Sequence, residues 1–124
     1  MLRLHHVNLG VPLGGAKAEE RFLLDVLGYQ RVPTPPDLAN KFARLARWFE
    51  SEDGKQIHLS EDPDHRPASR AHVAVEVEDG LPALVAKLEQ AGLEHTSFAN
   101  GDIHVVFCQD PAGNRWELRG TVPA

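Results

Sequence analysis

The sequence repeats itself. HVNLGV at 6–11 lies over HVAVEV at 72–77, an offset of 66. LLDVLGY at 23–29 lies over KLEQAGL at 87–93, offset by 64, and GKQIHLS at 54–60 lies over GNRWELR at 113–119, offset by 59. A chain that carries one pattern twice builds two similar units, and no composition figure constrains it as tightly. Few residues are identical, so the repeat rests on element order and on matched His, Gly and Leu. The competing reading is a generic α+β domain whose halves resemble each other by chance.

Each half reads strand, helix, strand, strand, strand. RLHHVNLGV (3–11) is rich in strand formers. The stretch 14–28 places Phe22, Leu23, Val26 and Leu27 at helical spacing, with Gly28 as its stop. Tyr29 to Val32 is a short strand, and 43–51 and 55–60 flank the turn EDG as a hairpin. The second half follows suit. A strand at 71–77 leads to a helix at 79–92, with Leu84, Val85 and Leu88 on one face and Gly92 as its stop. Strands follow at 93–98, 102–108 and 114–120, the last two around DPAG. PTPPDLAN (33–40) and EDPDHRPASR (61–70) are connectors, where specificity would reside. The expected fold is α+β: two tandem βαβββ modules, 1–62 and 70–121, within a single domain of 1–124.

Composition narrows the function classes. A chain of 124 residues holds one domain with a core and is short for two ordinary ones. A net charge of -5 argues against nucleic acid as a partner. No apolar run approaches the roughly 18 residues of a membrane span, and the N-terminus lacks a signal-peptide layout. The lone cysteine, Cys108, excludes an internal disulfide and fits a reducing cytoplasm. Seven histidines is a high count for this length and is the first hint of chemistry.

Alternation then sorts the polar residues. Neighbours on a strand point to opposite faces. Val7, Leu9 and Val11 share an apolar face, so His6 faces the other way with Asn8 and Gly10, and His5 packs at a sheet edge. His58 sits between Ile57 and Leu59, and Glu117 between Trp116 and Leu118. In the repeat His6 falls on His72 and His58 on Glu117. Three imidazoles and one carboxylate, two from each half, form a donor set for a divalent metal: Zn, Ni, Co, Mn or Fe. Glu117 and His58 are also the candidates for proton transfer, Glu117 if it can loosen from a metal and His58 because an imidazole titrates near neutrality; plain ligation is the alternative for both. Arg47 either holds a substrate carboxylate or is solvated. Its neighbour Trp48 is a second candidate for substrate contact. Arg119 shares the facing of Glu117 and either meets an anionic substrate or forms a rim salt bridge. His104, in mid-strand, lacks a repeat partner.

HVNLGV, FLLDVLGYQ, QIHLS, AHVAVEVED and DPAGNRWEL together resemble the vicinal-oxygen-chelate superfamily, whose members include glyoxalase I, methylmalonyl-CoA epimerase, fosfomycin-resistance enzymes, extradiol dioxygenases and bleomycin-resistance proteins. The resemblance covers nearly the whole chain. It implies paired βαβββ modules in a curved mixed sheet, each module a half-barrel with its helix outside. It places His6, His58, His72 and Glu117 at the ligand positions; glyoxalase I has a glutamate where this chain has His58. It implies a metal-dependent, glyoxalase-like isomerase or lyase whose small substrate chelates the metal through neighbouring oxygens, and a homodimer. A ring-cleaving extradiol-type dioxygenase and a metal-free drug-sequestering protein are the alternatives.

Overall fold

A computed structural model describes residues 1–38 and 47–121. The chain divides into two compact units, Met1–His65 and Arg66–Ala124.

In the first unit β1 (His6–Val11) is followed by α1 (Ala16–Arg21), a π-helical turn (Phe22–Val26), β2 (Gln30–Val32), β3 (Arg47–Glu50) and β4 (Gln56–Glu61). The strands form one mixed sheet in the order β1-β4-β3-β2, with β1 parallel to β4 and the other pairs antiparallel. Val11, Phe22, Leu23, Phe49, Ile57 and Leu59 are buried. Their spacing is why these stretches fold as they do: period two in the strands, helical in Phe22, Leu23 and Val26, so that one sheet face and one helix face close on each other. The helix ends in a wide turn. Leu27 N–H donates to the Phe22 carbonyl at 3.1 Å, a bond across five residues, and Gly28 (φ +79°) reverses the chain. β1 begins at His6, so Arg3–His5 precede the sheet rather than extend it. Residues 39–40 of the proline-rich connector and 43–46 of the expected third strand lie outside the described residues.

The second unit repeats this plan. β5 (His72–Glu76), α2 (Leu81–Gln90), β6 (His95–Asn100), β7 (Ile103–Gln109) and β8 (Arg115–Thr121) give the sheet order β5-β8-β7-β6, again with the first pair parallel. Gly92 (φ +71°) closes α2, and Leu93 N–H reaches back to the Leu88 carbonyl at 3.0 Å. Leu88, Trp116 and Leu118 are fully buried. Leu88 and Leu118 each stabilise the unit by about 1.5–3 kcal/mol relative to exposure. The topology is α+β, two tandem βαβββ modules. Among the described residues no helix is long and apolar enough to cross a membrane.

Candidate functional site

In the first unit, register decides which side chains share the face opposite the core. His58 lies beside Asn8 on β1 and Trp48 on β3. The His58 and Trp48 rings stack in parallel, 4.7 Å apart and 1° from coplanar. His6 meets Trp48 edge-on at 4.7 Å, and the His6 and His58 ring centres are 6.5 Å apart. Trp48 is 1% exposed and therefore supports the His58 ring rather than offering an open face. Ser60 Oγ donates to Asn8 Oδ1 at 2.9 Å on the same face. His65 also reaches this unit's Gly10, where a Cβ would stand 3.1 Å from its Nδ1.

His58 Nε2 is buried and has no hydrogen-bond partner among the described residues. A buried polar atom without a partner costs about 1–3 kcal/mol, and an imidazole lone pair in that position suits a cation. Burial, and then the proximity of His6, hold the His58 pKa below the usual imidazole value of 6.5. His58 is thus kept neutral, the form that can ligate.

In the second unit His72 Nε2 stands 3.6 Å from Glu117 Oε1. The other ring nitrogen, Nδ1, lies 2.8 Å from the Arg70 carbonyl. A carbonyl only accepts, so Nδ1 carries a proton and, in the neutral ring, Nε2 carries the lone pair. A lone pair and a carboxylate then face each other and need a proton or a cation between them. Two donors at about 2.0–2.2 Å from one ion lie at most about 4.4 Å apart, and 3.6 Å is within that limit. Arg119 Nη1 lies 3.6 Å from the second carboxylate oxygen, Glu117 Oε2. Phe107 pairs with Glu117 across the sheet and packs its ring against His72 at 5.5 Å, with the Arg115 guanidinium over it at 4.6 Å. An open pocket of ≈ 190 Å³ touches Phe107 and Arg115 and is not lined by His72 or Glu117.

The structure thus brings the expected residues together as two donor pairs, His6 with His58 and His72 with Glu117, one in each unit. Among the described residues no three His, Cys, Asp or Glu side chains form a group that could hold a metal ion. Arg47 does not join the His58 face. It pairs with Leu59 in the sheet, on the other face, and forms an ion pair with Glu20 of α1, which also holds Arg31 at 3.0 Å. His5 is exposed and precedes the strand instead of packing at its edge; its Nδ1 contacts His6 Nδ1 at 2.8 Å. His104 lies opposite Gly120, on the face away from Glu117. Asn8, Ser60 and Phe107 lie on these faces as well. Alternation alone puts Asn8 beside His6, and the register of β7 on β8 puts Phe107 beside Glu117.

A glyoxalase-like domain model matches residues 11–119. A search of curated proteins finds no significant match. Among solved structures, a Bacillus anthracis protein described as a glyoxalase family member is 26% identical, with a TM-score of 0.80 over 98% of this chain and 97% of that one. A glyoxalase/dioxygenase from Nostoc punctiforme is 20% identical, with a TM-score of 0.81 over 98% and 92%. A variant of the fosfomycin resistance protein FosX from Listeria monocytogenes, complexed with Mn(II) and 1S,2S-dihydroxypropylphosphonic acid, is 16% identical, with a TM-score of 0.79 over 98% and 94%. With 109 of 124 residues inside the family model (11 to 119) and the βαβββ repeat in both units, the chain belongs to the glyoxalase-like domain family of the vicinal-oxygen-chelate superfamily.

Proposed function

We propose that the protein is a metal-dependent enzyme of the glyoxalase-like type, an isomerase or lyase. It acts on a small substrate that presents two neighbouring oxygens, and its candidate residues for divalent metal are the pair His6 and His58 in the first unit and the pair His72 and Glu117 in the second. The observation that carries this reading is the His72–Glu117 pair. The Nδ1 proton of His72 is committed to a backbone carbonyl, so its Nε2 and the carboxylate converge as two electron-pair donors 3.6 Å apart. The buried His58 Nε2, without a partner among the described residues, supports it independently. The Mn(II) and vicinal diol in the FosX complex show which kind of ion and ligand the fold accommodates in that relative.

A bound divalent ion would supply Lewis-acid polarisation of the substrate oxygens. The chain's own groups do the rest. His58 is stacked flat on Trp48, which fixes the direction of its Nε2, and this nitrogen would ligate in the tautomer that leaves it unprotonated. Glu117 turns Oε1 toward His72 and Oε2 toward Arg119, and a carboxylate so placed can take and return a substrate proton. Arg119 has a half-exposed side chain and keeps further N–H donors for an anionic substituent. Arg47 is turned to Glu20 on the other face of the sheet from His58. The working form is a homodimer.

The test is a screen of the protein loaded with Mn(II), Ni(II), Zn(II) or Fe(II) against thiol adducts of 2-oxoaldehydes, acyl-CoA epimers, catechols and fosfomycin. The expected result is turnover that needs the added metal and falls at least 100-fold in Glu117→Gln. Turnover equal in chelator-treated protein and in that variant, or tight binding of a ligand without chemical change, would overturn the proposal.

A further inference from the structure

The two first-strand histidines are held at the same ring nitrogen by different partners. His72 Nδ1 meets the Arg70 carbonyl, two residues back, at 2.8 Å. Its repeat equivalent, His6, has no such carbonyl contact among the described residues. Its Nδ1 meets the ring nitrogen of the preceding residue, His5 Nδ1, also at 2.8 Å, with the rings edge-on and their centres 5.1 Å apart.

Between two imidazole nitrogens one donates and the other accepts, and the choice has consequences. If His5 donated, His6 would carry its proton on Nε2 and would present no lone pair. If His6 donates, its Nε2 is bare, the state His72 is already in. The second arrangement also suits His5. Its exposed ring then keeps the proton on Nε2, the tautomer a free histidine prefers in water, where solvent can accept it. A ligating histidine takes its tautomer from whatever its other nitrogen bonds.

We infer that His5 is the positioning residue for His6: its Nδ1 accepts the His6 Nδ1 proton, fixes the His6 tautomer and ring orientation, and so does in the first unit what the Arg70 carbonyl does in the second. This rests on the reading of His6 as a metal ligand, but the tautomer is measurable without any metal. His5 is exposed and lies outside the strand, so its replacement leaves the fold intact.

The experiment uses the full chain with 15N-labelled histidines, metal-free, at a pH where the rings are neutral. Long-range 1H–15N correlation spectra report the tautomer of each ring. The expected result is His6 protonated at Nδ1 in the wild type and predominantly at Nε2 in His5→Leu. His5→Asn, whose carbonyl oxygen can stand where Nδ1 stood, restores the first pattern, and His72 is unchanged throughout. Zn(II) affinity by competition with a chromophoric chelator should weaken about 10- to 100-fold in His5→Leu and recover in His5→Asn. His6 already protonated at Nε2 in the wild type, or a His6 tautomer indifferent to His5→Leu, overturns the inference. A wild-type protein that binds no Zn(II) overturns the proposed function instead, and the metal-free spectra still decide the role of His5.

Discussion

Asp110 is the residue whose replacement should most clearly unsettle the second unit, and the cost can be worked from its contacts. The side chain is 4% exposed. Oδ1 accepts the backbone N–H groups of Ala112 at 3.0 Å and Asn114 at 2.8 Å, tying the DPAGN turn together. Oδ2 accepts the indole Nε1–H of Trp116 at 2.9 Å. Trp116 is fully buried and precedes Glu117, so this carboxylate fixes both the turn and the start of the strand that carries the candidate ligand. Hydrogen bonds to a charged group contribute about 1.5–3 kcal/mol each, and a buried donor left unsatisfied costs about 1–3 kcal/mol. The turn amides can turn partly to water and the contributions do not add fully. Asp110→Ala should therefore destabilise by about 3–5 kcal/mol. Asp110→Asn keeps the Oδ1 acceptor but sets an amide N–H against the indole N–H, for about 1–3 kcal/mol. Urea unfolding with a slope of about 2 kcal/mol/M turns the first value into a midpoint lower by roughly 2 M. The Trp116 indole proton, followed by NMR, should move upfield in Asp110→Asn. A loss below about 1 kcal/mol in Asp110→Ala, with the indole resonance unmoved, would refute the reasoning.

Gly113 and Gly54 share φ values near +83° and +82°, but a Cβ at Gly113 would stand 2.8 Å from Pro67 Cγ, whereas one at Gly54 meets nothing within 4 Å. Gly54→Ala should cost only the left-handed backbone, about 1–2 kcal/mol, and Gly113→Ala measurably more; equal midpoints in urea would contradict this. Burial, and then the Asp110 charge, push the Cys108 thiol from its usual 9.0 up to about 12. Because the folded value is raised and the thiol is neutral in the fold, the associated stability is complete below pH 9 and is lost as pH rises toward 12. Iodoacetamide at pH 8 should modify Cys108 only as fast as the protein unfolds, and rapid labelling of the native protein would contradict that.

The strand faces were legible because alternation is a local property. Once Ile57 and Leu59, or Trp116 and Leu118, are read as core, His58 and Glu117 can face only the other way. What escaped depends on contacts the local pattern does not carry. Trp48 and Arg47 are adjacent on one strand, and only the register of the β3–β4 hairpin puts Trp48 opposite His58 and turns Arg47 toward Glu20 on α1. The strand formers run from residue 3 and make His5 look like an edge residue, but the sheet begins at His6, which frees the His5 ring to meet its neighbour. The wide helical turn at Phe22–Val26 has no signature in a pattern that fits an ordinary helix equally well. The Asp110–Trp116 bond joins two ends of a turn, and the sequence marks the turn but not the bond.

The measurement that bears most directly on the function is the metal content of protein purified without an affinity tag, followed by titration of the metal-free protein with Mn(II) and Zn(II). Binding of a divalent ion is expected, weakened in His58→Ala and in Glu117→Ala while the circular dichroism spectrum is unchanged. An ion retained equally well by His6→Ala, His58→Ala, His72→Ala and Glu117→Ala, or no binding of either ion at millimolar concentration, would contradict it.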